Sequence, residues 1–478
     1  VLGAAICMTS GTEYGPCFDQ VLPSHENCAT AVDDDCDDTT NDHCATWSRH
    51  YGYSSDQEVW AVAVDGNDDI VFGGVHRGDY DYGGGNLAGG SAGDALVVKI
   101  DSAGNHLWSY SWGDGEYQEI GAVAFDGTGN VYLGGSFAGV LTIPTLPTAT
   151  TLTSLGDLDV FVAKLDSSGV PQWAVQFGDA ARDDVWSIAA DGLGNVIAAG
   201  RFAGSIDFGP GAYTNVDASY DGFAVKLDGA DGSHVESLHV SAAGDDIVDQ
   251  VRVDASNAFY LLGETASGFD FGGGVVADGS GDDAFLVKFD ATNTYVWSVG
   301  IGGGSSNQDG EALAIDSAGN VWAGGDYTGV VTLGSTTHTS AGEDDMWVAK
   351  FDSSTGAVLW SGSFGGTADE DIQTLAADTS GNVMFGGAVE GRMDFGDGLI
   401  IPAAEDGRDD WFIAKLDSNG NLLYSRVFGV ARGESVEAIA ADSADHWIVA
   451  GTCGDGMDLG AGAMAGGYTD ICVGKFGP

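Results

Sequence analysis

The stretch Asp283-Ala-Phe-Leu-Val-Lys-Phe-Asp290 decides the fold, because close copies of it recur along the whole chain. A second copy, Asp159-Val-Phe-Val-Ala-Lys-Leu-Asp166, again places one lysine between apolar residues, with an aspartate five residues before it and another two residues after it. The 478-residue chain has seven lysines, and the gaps between them are 65, 62, 62, 62, 65 and 60 residues. This spacing indicates a repeat built seven times.

The lysines and their aspartates form two aligned series. The lysines are Lys99, Lys164, Lys226, Lys288, Lys350, Lys415 and Lys475. The aspartates five residues before them, called the Asp94 series below, are Asp94, Asp159, Asp221, Asp283, Asp345, Asp410 and Asp470. A third series lies upstream in each repeat, called the Asp65 series, and consists of Asp65, Asp126, Asp191, Asp254, Asp316, Asp378 and Asp442.

Each repeat contains four short apolar stretches separated by turn residues. In the second repeat they are residues 120–125, 131–135, 160–165 and 172–177, with Gly-Asn or Ser-Gly turns between most of them. No stretch shows a sustained 3.6-residue period, so helices are not expected. Seven repeats of four strands predict an all-β protein with a seven-bladed β-propeller.

The two ends of the chain predict how the ring closes. The seventh repeat stops at Pro478, before its fourth strand, whereas the fifth repeat continues into residues 359–365. Residues 45–52 carry the same Trp-Ser and aromatic-Gly pairs as that continuation. We therefore predict that residues 45–52 form the outer strand of the last blade, which leaves no open sheet edge. The predicted organisation is a Cys- and Asp-rich segment at 1–44 and a propeller at 45–478.

These repeats resemble a known family. The two eight-residue copies quoted above, together with Gly129-Asn-Val-Tyr-Leu-Gly-Gly135, are similar to the bacterial beta-propeller repeat that is common in secreted and surface proteins. The resemblance covers residues 47–478. It implies a propeller fold and an extracellular or cell-surface location, and it carries no catalytic motif.

A residue present in every blade solves a problem that every blade has, so the lysines and the Asp94 series are predicted to be structural. Each lysine lies between apolar neighbours, and a buried ammonium needs an acid beside it. The partner could be the Asp94-series residue of its own strand, an acid of the Asp65 series, or an acid of the adjacent blade. The sequence leaves these three alternatives open.

The seven cysteines fall into two groups. Cys453 and Cys472 align with paired aromatic residues of other repeats, which predicts a disulfide between them; two free buried thiols are the alternative. The other five are Cys7, Cys17, Cys28, Cys36 and Cys44. Their segment is too polar to build a core, so it needs disulfides or a metal to hold a shape, and their pairing stays open.

The acidic stretch around Cys36 is a candidate metal site. Asp33, Asp35 and Asp37 alternate as the carboxylates of a calcium-binding loop do, and Asp42 follows. The stretch resembles an Asp-rich, Cys-containing metal-binding motif of bacterial surface proteins, although it departs from an EF-hand, since Asp38 stands where that loop needs a glycine. The alternatives are a solvated acidic loop and a softer metal that uses the thiols. Calcium is therefore a candidate cofactor, and no organic cofactor is expected.

The charge excludes several kinds of partner. The chain has 72 acidic residues against 16 lysines and arginines, a formal net charge of −56. Such a surface repels nucleic acid and acidic lipid headgroups. No run of 18 apolar residues is present, so no transmembrane segment is predicted.

These observations favour a non-enzymatic extracellular protein with a structural or interaction role. Residues 1–46 are predicted to mediate self-association or surface contacts, including assembly into a filament or surface layer. One alternative is a monomeric propeller that binds a glycan or another ligand at one rim or at the channel mouth. A quinoprotein-like enzyme is a further alternative, suggested by the turn at 352–356 before Trp360, but the eight blades and adjacent cysteine pair of those enzymes are not found here.

Overall fold

A ring of seven four-stranded antiparallel sheets forms the described part of the chain, as the repeat predicts. The computed structural model describes residues 44–52, 55–276, 281–303, 306–396, 399–400, 408–430, 433–460, 462 and 469–478. Within these residues the elements are strands and turns, without a helix.

Each blade runs from an inner first strand to an outer fourth strand. The strands are, for blade 1, Glu58–Val64, Ile70–His76, Asp94–Ile100 and His106–Trp112; for blade 2, Gln118–Phe125, Val131–Phe137, Asp159–Leu165 and Pro171–Phe177; for blade 3, Asp183–Ala190, Asn195–Phe202, Asp221–Asp228 and His234–Val240; for blade 4, Asp246–Val253, Phe259–Thr265, Asp283–Phe289 and Tyr295–Ile301; for blade 5, Ala312–Ile315, Val321–Tyr327, Asp345–Phe351 and Val358–Phe364; for blade 6, Glu370–Ala377, Val383–Val389, Asp410–Leu416 and Leu422–Phe428; and for blade 7, Ser435–Ala441, Trp447–Cys453, Asp470–Phe476 and Ala45–Tyr51.

A small two-stranded hairpin lies between the second and third strands of blades 1 to 6. The six hairpins are Tyr80–Asp81 with Asn86–Leu87, Val140–Ile143 with Thr150–Thr153, Ser205–Asp207 with Ala212–Thr214, Phe269–Asp270 with Val275–Val276, Val330–Leu333 with Thr336–Thr339, and Met393–Asp394 with Leu399–Ile400. We call this side of the ring the hairpin face. Because successive strands are antiparallel, the first and third strands of every blade begin at the hairpin face and end at the opposite side, called the turn face.

The ring closes as predicted, because the strand Ala45–Tyr51 completes blade 7. It pairs antiparallel with Asp470–Phe476, with Trp47 opposite Lys475 and Tyr51 opposite Ile471. The predicted disulfide joins the second and third strands of this blade, with a Cα–Cα distance of 5.8 Å between Cys453 and Cys472. Both ends of the chain therefore contribute to one covalently braced blade.

The hydrophobic core lies between neighbouring blades. Val160 and Val162 of blade 2, for example, share one cluster with Ile188 and Phe223 of blade 3. The tryptophans that recur in the fourth strands reach across the same junctions: Trp173 Nε1 donates a hydrogen bond of 3.1 Å to the Gly229 carbonyl in the turn of the next blade. This packing fixes the angle between blades and hence the position of the inner strands.

Aspartates close the turns of the turn face. Asp290 Oδ1 accepts hydrogen bonds from the backbone of Thr292 at 2.8 Å and Thr294 at 3.0 Å. Asp352 and Asp417 occupy the same position in the next two blades and accept equivalent bonds. The aspartate that stands two residues after six of the seven lysines is therefore a turn-forming residue.

Candidate functional site

The repeat lysines pair with the Asp65 series and not with the Asp94 series. Six of the seven ammonium groups lie within 4 Å of an Asp65-series carboxylate on the same blade. The Nζ–Oδ2 distances are 2.8 Å for Lys99–Asp65, 2.9 Å for Lys226–Asp191, 3.6 Å for Lys288–Asp254, 2.8 Å for Lys350–Asp316, 3.8 Å for Lys415–Asp378 and 2.7 Å for Lys475–Asp442. Six of the seven predicted structural lysines are thus ion-paired. Of the three alternatives, the one that pairs the lysines with Asp94, Asp159, Asp221, Asp283, Asp345, Asp410 and Asp470 is wrong.

The reason is geometric. Each lysine lies near the turn-face end of the third strand, and the Asp65-series acid follows the first strand at that same end. The Asp94-series acid opens the third strand at the hairpin face. Five residues of extended strand separate it from the lysine by about 16 Å.

The lysines also tie neighbouring blades together. Lys350 Nζ donates a hydrogen bond of 2.7 Å to the Ser418 carbonyl of the next blade, and Lys288 Nζ donates one of 2.8 Å to the Ser353 carbonyl. Lys164 differs, because no ion pair joins it to an acid within the described residues. It donates a hydrogen bond of 2.6 Å to the Gly229 carbonyl and lies 5.0 Å from the centre of the Tyr132 ring.

The Asp94 series has a different structural role at the blade junctions. All seven of these aspartates are buried. At the junction of blades 2 and 3, Asp159 Oδ1 and Asp183 Oδ2 lie 2.8 and 2.6 Å from the point that a Cβ atom would occupy on Gly178. The glycine of the aromatic-Gly pair therefore makes room for carboxylates that meet between blades. Burial raises the pKa of Asp183 to about 8 and that of Asp159 to about 6.

The remaining sequence predictions fall mostly outside the described residues. Asp33, Asp35, Asp37 and Asp42, the four predicted metal ligands, lie there, as does nearly all of the segment that was predicted to mediate assembly. Cys44 is the exception among the N-terminal cysteines, and it is disulfide-bonded. In the part of the chain that the structure describes, no group of three or more His, Cys, Asp or Glu side chains has an arrangement that could hold a metal ion.

The central channel of the propeller contains a cavity. The first strands of all seven blades line it, and its volume is about 440 Å³. Small side chains, mostly alanine, form most of the wall, which suits the crowding of seven inner strands around one axis. A β-bulge interrupts the first strand in six blades, for example at Trp60, Trp186 and Asp249. The bulge lies at the hairpin-face end of the strand and turns one extra residue out of the ladder.

Acidic residues of blades 4, 5 and 6 lie close to one another near this end of the channel, although none of the six lines the 440 Å³ cavity itself. We call this group the acidic mouth, and its members are Asp249, Glu264, Asp309, Glu311, Asp326 and Asp371. Asp249 is a bulge residue, Asp309 and Asp371 lie at or just before the start of the first strands, and Glu264 and Asp326 lie at the hairpin-face end of the second strands. A hydrogen bond between the carboxyl groups of Glu264 and Asp309 links blade 4 to blade 5.

Burial and mutual repulsion shift the acidity of the mouth in one direction. Burial raises the pKa of Glu311 to about 7, with the Asp309 and Asp371 charges adding to it. Burial also raises the pKa of Asp371 to about 6, again reinforced by neighbouring acids. Burial is the largest cause for Asp326 and Asp249 as well, and it places the pKa of each carboxyl far above the ordinary aspartate value.

Asp249 is a buried member of the acidic mouth. Its side chain is 8% exposed, and no other described residue donates a hydrogen bond to it. The charges that act on it most strongly are those of Glu311 and Asp309, which are repulsive. The guanidinium of Arg201 attracts it but is already paired with Asp184 at 3.1 Å. The mouth therefore carries a local excess of carboxyl groups without an equal number of cations.

The sequence contains a further pattern at this site, outside the lysine repeat. The residue seven positions before each Asp65-series acid is acidic in five repeats, namely Glu58, Glu119, Asp184, Asp309 and Asp371. In blades 1 to 3 another side chain pairs with this acid. Arg77 lies 2.8 Å from Glu58, the Tyr117 hydroxyl donates a hydrogen bond of 2.7 Å to Glu119, and Arg201 pairs with Asp184. In blade 5 the partner of Asp309 is another acid, Glu264, and in blade 6 no described residue pairs with Asp371. Only the three-dimensional arrangement distinguishes the two halves of the ring.

The structure thus defines the chain as a seven-bladed propeller with a carboxyl-rich channel mouth. No protein-family profile matches the sequence, so the resemblance to the bacterial beta-propeller repeat is not confirmed at that level. The described residues also contain no helix with the length and hydropathy of a membrane span.

Sequence comparison finds a distant relative, the regulatory protein FlaEY of Caulobacter vibrioides. It is 25% identical over 371 residues, and the match covers 70% of this chain and 36% of that protein. The chain therefore spans about a third of the length of this relative.

Solved propellers cover most of the chain at low similarity. The WD40 repeats of RRP9 give a TM-score of 0.48 at 11% identity, covering 91% of this chain and 99% of that one. The quinohemoprotein alcohol dehydrogenase ADHIIG of Pseudomonas putida HK5 gives 0.42 at 14% identity, covering 91% and 76%. With TM-scores below 0.5, these likenesses carry no argument about function.

Proposed function

We propose that this chain is a non-enzymatic interaction module that binds a lysine- or arginine-bearing segment of a protein partner at the acidic mouth. One observation carries the proposal: six carboxyl groups from three adjacent blades crowd one end of the channel, and the nine-tenths-buried Asp249 receives no hydrogen bond from another described residue. The distant relative is named a regulatory protein, which supports a regulatory role for this chain.

Burial of the acidic-mouth carboxyl groups costs free energy. Buried carboxyl groups without cations are unfavourable, and they avoid the cost by staying protonated. A guanidinium or ammonium group that enters the mouth would supply the missing opposite charge and hydrogen-bond donors. The fold does not require an acid at the position of Asp309 and Asp371, because blades 4 and 7 carry Ile247 and Ser435 there. A cationic ligand would compensate the acids of blades 4 to 6.

The wider electrostatics support a basic partner. With a net charge of −56, the whole surface attracts cationic segments and repels acidic ones. The mouth adds a place where that attraction becomes specific, because four of its acids are partly exposed while Asp249 and Asp326 are buried.

A short oligoarginine peptide tests the proposal by isothermal titration calorimetry. The mouth variant is Asp249→Asn/Asp309→Asn/Asp371→Asn. Its matched control is Asp290→Asn/Asp352→Asn/Asp417→Asn, which removes the same charge from the turn face of the same blades, where asparagine keeps the turn-forming acceptor. We expect one peptide per propeller, at least about tenfold weaker binding by the mouth variant, and wild-type-like binding by the control. Equal weakening in both variants would show non-specific attraction to the acidic surface and would contradict the proposal.

We also propose that the protein works outside the reducing cytoplasm. The disulfide between Cys453 and Cys472 supports this, since such bonds persist mainly in oxidising compartments. Mass spectrometry of alkylated, unreduced protein isolated from its native cells tests the proposal. Recovery of both cysteines as alkylated free thiols would contradict it.

A further inference from the structure

One position in the channel wall breaks the seven-fold pattern. Arg252 lies in the first strand of blade 4. In the antiparallel sheet it stands opposite Tyr260 of the second strand, and Tyr260 stands opposite the repeat lysine Lys288 of the third. The same register position in the other six blades is always alanine. These residues are Ala63, Ala124, Ala189, Ala314, Ala376 and Ala440. The fold therefore needs only a methyl group at this position, and blade 4 has an arginine.

A second large polar residue accompanies it. Gln250 occupies a register position where the other six blades carry small residues. These are Ala61, Ala122, Ser187, Ala312, Thr374 and Ala438. Gln250 and Arg252 both line the 440 Å³ channel cavity. A feature made once in a seven-fold repeat is not explained by the demands of the repeat.

The contacts of Arg252 leave much of its guanidinium unused. Nη1 donates hydrogen bonds of 3.2 Å to Ser187 Oγ and 2.9 Å to the Val251 carbonyl. Among the described residues, Nε and Nη2 have no hydrogen-bond partner, and no acid forms an ion pair with Arg252. Burial lowers the pKa of Arg252 to about 10, so the group stays charged at neutral pH. Such an arginine is unusual in a chain with 72 acidic residues.

We propose that Arg252, with Gln250 beside it, forms a binding site in the channel for the oxyanion group of a small ligand, a carboxylate or a phosphate. The planar Nε–Nη2 edge is suited to bidentate contact with two oxygens of one such group. Trp60 and Trp186 line the same cavity and provide apolar surface for the rest of the ligand. The cavity volume is within the range of small-molecule sites. This site is independent of the acidic mouth, because it takes the opposite charge and uses different residues.

Isothermal titration with sodium phosphate, sulfate and citrate tests the site. Measurements at an ionic strength of about 0.15 M limit the repulsion between the acidic surface and the anions. The variant Arg252→Ala introduces the residue that the other six blades carry, so it should fold normally. Arg49→Ala is the charge-matched control, since Arg49 lies on the outermost strand of blade 7, remote from the channel. Arg252→Lys keeps the charge but removes the planar edge.

We expect saturable binding of at least one anion with one site per propeller. Arg252→Ala should weaken it at least about tenfold, Arg252→Lys should weaken it by a smaller factor, and Arg49→Ala should leave it unchanged. Wild-type affinity in Arg252→Ala would overturn the proposal, and so would the absence of saturable binding of all three anions to the wild-type protein. The oligoarginine titration reports separately on the acidic mouth, so either site can fail without the other.

Discussion

Lys350 Nζ lies 2.8 Å from Asp316 Oδ2, and the two side chains are 10% and 1% exposed. The same ammonium donates a hydrogen bond to the Ser418 carbonyl of the next blade. A single lysine therefore neutralises the acid that ends one inner strand and fastens its blade to the neighbour. The equivalent lysines make related contacts around the ring.

Replacing Lys350 by methionine should destabilise the propeller strongly. The change leaves Asp316 buried without its counter-ion, which costs about 3–5 kcal/mol in the free energy of unfolding. Lys164→Met is the matched control, because Lys164 forms no ion pair with a described acid. Its loss therefore leaves no carboxylate without a counter-ion. Urea denaturation followed by tryptophan fluorescence measures both. Equal losses in the two variants would show that the ion pair itself contributes little.

Gly178→Ala should destabilise the junction of blades 2 and 3. The added Cβ would lie 2.6 Å from Asp183 Oδ2, and the glycine has a φ of +149°, which other residues rarely adopt. We expect a loss of about 1–3 kcal/mol. Gly127→Ala is the control, because nothing lies within 4 Å of its Cβ position and its φ is ordinary. Thermal melting of both variants checks the prediction, and an unchanged Gly178→Ala protein would contradict the close packing.

Stability should fall as the pH rises from about 5 to about 9. Asp159 and Asp183 have folded-state pKa values of about 6 and about 8, above the unfolded aspartate value of about 3.9. The folded protein thus binds more protons than the unfolded chain in this window, so the stabilisation is full below about pH 4 and is lost as the pH rises through 6 and 8. Asp183→Asn should flatten the profile of melting temperature against pH. A wild-type profile that is flat over the window would contradict these shifts.

Binding of a basic peptide at the acidic mouth should release protons. Glu311 and Asp371, with pKa values of about 7 and about 6, are partly protonated near neutral pH, and a bound cation favours their ionised forms. Affinity should therefore increase between pH 6 and pH 8. Calorimetry in buffers of different ionisation enthalpy counts the protons, and Glu311→Gln/Asp371→Asn should reduce the number. Binding without proton release would place the peptide elsewhere.

The sequence predicted the architecture because the repeat records it directly. One lysine and two aspartates per unit, together with the strand missing after Lys475, were enough for the blade number, the ring closure and the disulfide. The acid that pairs with each lysine was not predictable, since the sequence alone does not show which of the two aspartate series lies beside the lysine in the folded blade. Only the antiparallel path shows that Asp316 and Lys350 meet at the turn face while Asp345 lies at the other end.

The candidate sites were harder to predict for a related reason. Arg252 is visible in the sequence, two residues before Asp254, where the other six repeats carry alanine, but only the structure places it in the channel wall. The acidic mouth depends on contacts between strands of different blades, as between Glu264 and Asp309. Repeated residues reveal the scaffold, and the departures from the repeat mark the sites.

The most direct test of the proposed function is hydrogen–deuterium exchange with and without the oligoarginine peptide. Residues 241–245, 306–310 and 365–369 lead into the first strands at the acidic mouth, whereas residues 290–294, 352–356 and 417–421 are turns of the turn face in the same blades. We predict slower exchange in the first group, no change in the second, and loss of the effect in the Asp249→Asn/Asp309→Asn/Asp371→Asn variant. Protection of the turn face, or protection that persists in this variant, would contradict the assignment of the acidic mouth as the binding site.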